Sequence, residues 1–584
     1  MTIAEDSLKP APTAHGAPFR PADFATFVDA LDYAASCSTG FTYYTARGEV
    51  ADVLTYAALG ARAEETASRL IALGLKPGDR IGVLAETEAD FAAAFCGALV
   101  AGLVPAPLPL PVAFGPREAY NAQLRRIVGV AGARAVFAAA EYADWVKEAM
   151  APLGLVFTGT LGELPPADRP AARPKVGPDD LAYLQFSSGT TGAPKGVAVT
   201  HGAMMANLQG IARHGLRYGP GDRGVSWLPL YHDMGLVGCF LSPIAAQFSA
   251  DYLTTRDFVR RPLMWLELIA RNRATVTYAP SFGYDLALRR ARGKAPEGLD
   301  LSTWRVAGIG GDMIKAPIIR AFTDTFAPAG FDAGAFTPSY GMAETTLALS
   351  FAPLGQGLKT ERLDLAALER EMEARPSTGD GPARDFALCG AALPDHEIEI
   401  RGGAGAALSE GKVGRIFARG PSLMREYFGD PETTAATMRA GWLDTGDLGY
   451  LSGGQLVITG RAKDLMIVAG RNIWPQDLEW SIEQAVDHIR EGGVAVFSVT
   501  PDDSGARIEE EVVVAAECRL RDPEEREAFR AEVRAAAAEG HGVDARVALA
   551  GNGALPRTSS GKLSRAKARL MYLDGLFDLK KKKA

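Results

Sequence analysis

The 584-residue chain has only five cysteines, at positions 37, 96, 239, 389 and 518, and no CxxC pair among them. That spacing offers neither a redox dithiol nor a zinc knuckle, and the reduced thiols of a cytoplasmic protein are the simplest account. Histidine is equally sparse, seven residues in all and dispersed, so no metal-ligand cluster can be read from them. Basic charge is not in excess: 62 Lys and Arg face 70 Asp and Glu, for a net −8. This excludes a general nucleic-acid binder, which needs a basic face. The exception is a run of four lysines at 580–583, which reads as a solvated end and, more weakly, as a contact for an anionic membrane surface. The first residues, MTIAEDSLKPAPTAHGAPF, carry acids early and no apolar centre, so they do not form a secretory signal. Residues 1–20 are expected to be a flexible lead-in. Long apolar runs are also missing. Residues 91–114 are uncharged, but their second half holds Pro105, Pro107, Pro109 and Pro111. The first half is shorter than the roughly 20 residues a bilayer span requires. A buried helix ending in a proline-rich loop, without any transmembrane segment, is the expectation.

What is present is globular: 47% hydrophobic and 23% charged residues, in a chain too long for one core. Between about 50 and 280, helix-like periodicity alternates with short apolar strands such as RIGVLA and GVSWLPL. That order predicts doubly wound parallel sheets. After about residue 385 come short strands with glycine-rich turns, FALCGAALPDHEIEIRGG, GRIFARG and GYLSGGQLVITGR, which predict an antiparallel, distorted barrel-like unit. Beyond about residue 460 the pattern reads as a small α+β domain with helices near 475–490 and 523–540. The segment 351–385, with one amphipathic piece and a PSTGDGPA loop, looks inserted. The fold expected is therefore α/β: a large domain over 21–462 and a small C-terminal domain over 463–584.

The chemistry concentrates in LQFSSGTTGAPKGVAVTH, residues 184–201. It is not a Walker A loop, because Lys195 is followed by Gly196 rather than Ser or Thr. The physical logic is nevertheless that of a phosphate loop. A strand leads in, Gly189 and Gly192 let backbone N–H groups approach phosphate oxygens, Ser187, Ser188, Thr190 and Thr191 add hydroxyls, and Lys195 adds charge.

This stretch resembles the phosphate loop of the acyl-adenylate-forming superfamily, which includes acyl-CoA synthetases, luciferases and peptide-synthetase adenylation domains. Further blocks follow in that superfamily's order. SYGMAETT (339–346) resembles its adenine-and-magnesium block, which implies ATP contacts at Ser339, Tyr340, Gly341 and Met342, and Mg²⁺ on Glu344. GIGGD (308–312) resembles the loop along the adenine, with Gly310, Gly311 and Asp312; it is not a GxGxxG fingerprint, since Met313 occupies the last glycine position. GWLDTGDLG and TGRAKDLMIVAGRNIWP imply ribose contacts from Asp447 and Arg461, a hinge at Lys463, and Gly470 beside a pantetheine channel. LPRTSSGKLSR supplies Lys562, a point charge suited to a carboxylate and an α-phosphate brought together. LPLYHDMGL resembles the segment beside the reacting carboxylate, implying a positioning role for His232. The apolar run after it, with SFGYDLAL, lines an acyl tunnel or belongs to ordinary core; the sequence leaves both open.

Within the superfamily the chain is most similar to the fatty acyl-AMP ligases. SWLPLYHDMGLVG, RPLMWLELIARNRAT and GRNIWPQDLE carry that likeness, as does the extra length at 351–385. The resemblance implies ATP- and Mg²⁺-dependent activation of a fatty acid, with the acyl group passed to an acyl carrier protein. A long-chain fatty acyl-CoA ligase is the alternative. A serine acyl-enzyme reading of Ser559–Lys562 lacks the SDN and KTG partners that chemistry needs.

Overall fold

The computed structural model describes residues 9–12, 16–111, 117–187, 194–379, 381–403, 405–468, 471–490, 492–499, 511–557 and 563–577. Its centre is a nine-stranded sheet. Six neighbouring strands run parallel: Gly40–Tyr44, Ser249–Tyr252, Arg223–Ser226, Val276–Ala279, Val306–Ile309 and Phe336–Gly341. Antiparallel strands finish both edges, Val50–Thr55 at one and Ala348–Phe351 with Ala391–Ala392 at the other. A second sheet of four parallel strands runs in the order Val104–Leu108, Arg80–Leu84, Ala133–Phe137 and Phe157–Gly159. The helix–strand alternation thus yields parallel sheets, as the periodicity predicts.

The uncharged stretch near residue 91 becomes the helix Ala89–Val100, in which every residue except Asp90 is buried. A helix apolar on all faces needs cover on all faces. Phe91, Ala94, Phe95 and Leu99 accordingly sit in one core cluster with Tyr183, Phe240 and Phe41. The prolines after it correct the expectation of a loop. Val104–Leu108 is a strand at the sheet edge, with Pro105 and Pro107 inside it. The Val104 N–H donates to Asp79 O and Leu108 O accepts from the Ala85 N–H. The even positions therefore face the neighbouring strand, and the missing proline donors point away, where an edge tolerates them. The lead-in is likewise tied down where it is described. The Ala11 N–H donates to Thr42 Oγ1 at 3.0 Å, and Ala11 O accepts from buried Arg223 at 2.7 Å.

Residues 397–461 build a five-stranded antiparallel sheet from Glu397–Arg401, Gly414–Arg419, Met438–Arg439, Trp442–Ser452 and Gln455–Arg461. The segment 351–385 contributes a strand, Thr360–Asp364, paired antiparallel with Ala383–Ala387, and the helix Leu365–Glu371 between them. Asp364 caps that helix through the Ala366 and Ala367 N–H groups, and Met372, at φ 52°, ends it. Leu363, Leu365, Leu368 and Phe386 pack on Tyr450, Val457 and Trp474. Further on, the strands Val494–Val499, Glu511–Cys518 and Ala545–Gly551 form a sheet flanked by the helices Pro475–Ala485, Pro523–His541 and Arg565–Leu573. Among the described residues, no helix is long and apolar enough to cross a membrane.

Candidate functional site

The strand Leu181–Ser187 pairs antiparallel with Lys195–Thr200, and its register sets Ser187 opposite Lys195. The glycine-rich loop therefore leaves and returns at adjacent backbone positions. Ser188, Gly189, Thr190, Thr191 and Gly192 of that loop lie outside the described residues, as do Lys562, Gly470 and the lysines at 580–583. The return strand is gripped from its other side. The short strand Glu426–Tyr427 pairs with it, and the Lys195 ammonium lies 5.1 Å from the centroid of the Tyr427 ring, a cation–π contact.

Tyr427 links this strand to Glu344. Its hydroxyl donates to Glu344 Oε1 at 2.7 Å. Glu344 stands on the single turn Ala343–Thr345, directly after the strand Phe336–Gly341. The turn is fixed by its backbone: the Met424 N–H donates to Glu344 O at 2.8 Å, and Thr346, at φ 68°, donates its hydroxyl to Ser422 O. Burial pushes the Glu344 carboxyl pKa upward and the charge of Asp233 adds to this, while the Tyr427 hydroxyl and Arg461 oppose it. A buried carboxylate beside a second acid favours the approach of a cation.

A second constellation adjoins the first. The Tyr340 hydroxyl donates to Asp447 Oδ2 at 2.6 Å, and Arg461 Nε lies 3.2 Å from Asp447 Oδ1. Asp447 and Arg461 are direct cross-strand partners on the hairpin Trp442–Ser452 and Gln455–Arg461. Asp447 is 7% exposed, and its charge raises the Arg461 pKa. Two positions on, burial and then the Arg461 charge lower the Lys463 pKa. Asp464 next to it holds Arg565 at 3.1 Å, and Arg565 also pairs with Glu479 at 2.6 Å. The Arg557–Leu563 bridge closes the segment that contains Lys562, so Arg565 fixes its far end to residue 464.

The glycines of 308–312 allow close approach of neighbouring backbone. A Cβ on Gly310 would lie 2.9 Å from both Ser339 O and Ser339 Oγ, and one on Gly341 would collide with Leu347 O. Gly311 has φ +74° and lies beside the Met234 side chain. Asp312 accepts from the Met313 N–H at 2.7 Å. Met234 belongs to the segment of His232, whose Nδ1 lies 2.7 Å from Asp233 Oδ1. That segment is fastened to the phosphate-loop strand by Gln185 Nε2, which donates to Tyr231 O at 2.6 Å.

Lys195, Glu344, Tyr340, Asp447, Arg461 and the His232 turn thus belong to one connected cluster, with Gly310–Asp312 beside it. Neither Tyr427 nor Asp233 is marked by any sequence motif. A lone tyrosine in a two-residue strand has no pattern to be found by, and its role depends on the pairing with Lys195–Thr200. The apolar run after His232, which the sequence leaves between tunnel and core, is a π-helical stretch, Met234–Leu241. Leu236, Val237, Phe240 and Leu241 are core residues of the main cluster.

The family of AMP-binding enzymes matches residues 39–428. A Caulobacter vibrioides (strain NA1000 / CB15N) protein, named only provisionally as an acyl-CoA synthetase, is 51% identical over 97% of this chain and 98% of its own. The long-chain-fatty-acid–AMP ligase FadD32 of Mycolicibacterium smegmatis (strain ATCC 700084 / mc(2)155) is 34% identical, covering 91% of each chain. Among solved structures, one from work on fatty acyl-adenylate ligases of E. coli and L. pneumophila superposes with a TM-score of 0.90 at 43% identity, covering 96% of this chain and all of that one.

Proposed function

The chain belongs to the AMP-binding enzyme family, the acyl-adenylate-forming superfamily, and we propose that it activates a fatty acid with ATP and passes the acyl group to an acyl carrier protein. In the first step a carboxylate oxygen attacks the α-phosphorus, the bond to the β-phosphate oxygen breaks, and pyrophosphate leaves. In the second the carrier's thiol, losing its proton, attacks the acyl carbonyl and AMP departs. The single observation that carries this reading is the Tyr340–Asp447–Arg461 network beside the Lys195–Tyr427–Glu344 network, one set suited to a ribose and the other to phosphates.

The roles follow from charge. Asp447 accepts from the ribose hydroxyls, with Tyr340 and Arg461 fixing its carboxylate. Lys195 and the loop before it receive the β- and γ-phosphates, which the loop's backbone N–H groups suit. Gly310, Gly311, Ser339 and Gly341 provide a flat wall along the adenine, since side chains there would intrude. Glu344 fits Mg²⁺: it is a hard oxygen donor, buried, and its ionised form lacks full compensation from Tyr427 alone. The ion supplies positive charge to offset the repulsion of two approaching anions. His232 positions the reacting carboxylate, and Lys562, three residues before the anchored Arg565, supplies the cation there. Lys463 serves as the hinge between a large domain ending at 462 and the small one after it.

The choice of carrier protein over CoA rests on the inserted segment. Arg384 pairs with Asp477, and Glu369 with Arg471 at 3.3 Å, so residues of 351–385 hold the helix Pro475–Ala485 and the short strand Arg471–Ile473 before it. Such ties bias the orientation of the small domain toward one state. Incubation with a fatty acid, ATP and Mg²⁺, with and without CoA, tests the reading: acyl-AMP accumulates in both. Abundant acyl-CoA would establish the acyl-CoA ligase alternative instead.

A further inference from the structure

The Glu344 turn and the Lys195 strand are both held by one segment, residues 422–428. At one end it holds the turn. Ser422 O accepts from the Thr346 hydroxyl at 2.7 Å, and the Met424 N–H donates to Glu344 O at 2.8 Å. At the other end it holds the strand. The Arg425 N–H donates to Ala198 O at 2.8 Å and the Phe428 N–H to Gly196 O at 2.7 Å. The segment is itself braced. His396 Nδ1 lies 2.9 Å from Pro394 O, which can only accept, so in the neutral ring Nε2 accepts from the Ser422 hydroxyl at 2.6 Å. The Tyr427 N–H donates to Thr434 Oγ1 at 3.0 Å, and Tyr427 O accepts from the Asp430 N–H at 3.0 Å. Both backbone polar groups of Tyr427 are thus engaged, and its side chain leaves from a fixed point.

Tyr427 is 6% exposed and meets two opposite charges. Its hydroxyl donates to Glu344 Oε1 at 2.7 Å, and the Lys195 ammonium lies 5.1 Å from its ring centroid. The carboxylate stands at the rim of the phenol and the cation over its face. Away from water, opposite charges gain strongly by pairing directly. A lysine paired in that way would be lost to phosphate, and a paired glutamate to a metal. The tyrosine gives each a neutral partner instead. Its bond to Oε1 also fixes the plane of the carboxylate, and so where Oε2 stands. Groups that orient a metal-ligating carboxylate govern affinity for the ion without touching it.

We infer that Tyr427 is the positioning residue of this site, an inference that rests on the adenylation reading: it aims the Glu344 carboxylate at a divalent cation and keeps Lys195 for the phosphates by holding the two apart.

The probe is Mn²⁺, titrated by electron paramagnetic resonance into the full chain with α,β-methylene-ATP, which cannot release pyrophosphate. Affinity for the analogue without metal is read separately by calorimetry. Tyr427→Phe keeps the ring and loses the donor. It weakens Mn²⁺ binding by roughly tenfold or more and leaves the metal-free affinity unchanged. Tyr427→Leu removes the ring as well, and also weakens the metal-free analogue by roughly threefold. In a Glu344→Gln background, where Mn²⁺ is held by the nucleotide phosphates, Tyr427→Phe has no further effect, because the tyrosine acts through the carboxylate. A tyrosine that serves stability alone gives another pattern: Tyr427→Phe lowers both affinities together, and does so equally in the Glu344→Gln background. That pattern, or Mn²⁺ binding by Tyr427→Phe equal to the parent's, overturns the inference and leaves the adenylation reading intact. A parent chain that binds neither the analogue nor Mn²⁺ overturns the adenylation reading, and this inference falls with it.

Discussion

The Tyr340 hydroxyl donates to Asp447 Oδ2 at 2.6 Å, joining the nine-stranded sheet to the five-stranded antiparallel sheet through one bond. The two residues lie 107 positions apart in the chain. Asp447 is thereby held from one side by a neutral donor and from the other by the Arg461 guanidinium.

Asp447→Asn keeps the shape and an acceptor for Tyr340 but removes the charge that Arg461 faces. Hydrogen bonds to charged groups are worth about 1.5–3 kcal/mol, so ATP affinity falls by about 10- to 100-fold. Tyr340→Phe loses only a neutral donor and costs about 1 kcal/mol. Titration of ATP binding by calorimetry separates the two. Equal losses would show that the hydroxyl, not the charge, governs the site.

Glu344→Gln separates catalysis from stability. Burial raises the Glu344 pKa above 4.5 in the folded chain, so ionising it opposes folding. That stabilising protonated form is fully present below pH 4.5 and is lost as pH rises through the folded value. The glutamine variant carries no such cost and melts higher than the parent at neutral pH, while adenylate formation falls by about 100-fold or more as the proposed cation site is lost. Thermal unfolding and pyrophosphate release are the two measurements. A lower melting temperature would mean that the ionised carboxylate is compensated by its surroundings.

Away from the site, Glu88 precedes the helix Ala89–Val100 in extended geometry but makes no capping bond. Burial, then the charges of Asp90 and Glu86, push its pKa up to about 7 from 4.5. A raised acid again means stability that is complete below pH 4.5 and declines as pH climbs through about 7. Glu88→Asn supplies a cap worth about 1 kcal/mol and removes the titration. The gain over the parent is therefore smallest near pH 4.5 and grows toward neutrality. Denaturant midpoints at a series of pH values show this slope, and a constant difference between the two proteins would contradict it.

These residues also show what a sequence can and cannot convey. The alternation of helices and apolar strands was legible because each element repeats its own period. VPAPL was not legible as a strand, since proline suppresses strand propensity and only the edge position rescues it. Ala11 carries no signal at all, because what holds it is its backbone carbonyl on buried Arg223. Within the candidate site, Glu344, Asp447 and Arg461 sit in recognisable blocks. Tyr427 does not, because its partner Glu344 lies 83 positions away and no local pattern links them.

The Arg384–Asp477 pair supplies the sharpest test of the inserted segment. The two side chains are 14% and 5% exposed, and burial lowers the Arg384 pKa to about 10. Removing one partner leaves the other buried without compensation. Arg384→Ala therefore costs about 3–5 kcal/mol, and a fall in melting temperature alone says nothing of product choice. Replacing the pair with Arg384→Met and Asp477→Leu keeps apolar packing and avoids that penalty. If the pair biases the small domain, the double variant retains adenylate formation, melts near the parent, and yields acyl-CoA that the parent makes little of. Chromatographic separation of acyl-AMP and acyl-CoA after incubation with CoA reads this directly. A stable double variant with an unchanged product ratio would remove Arg384 and Asp477 from the control of product, leaving Glu369 and Arg471 as the remaining tie to examine.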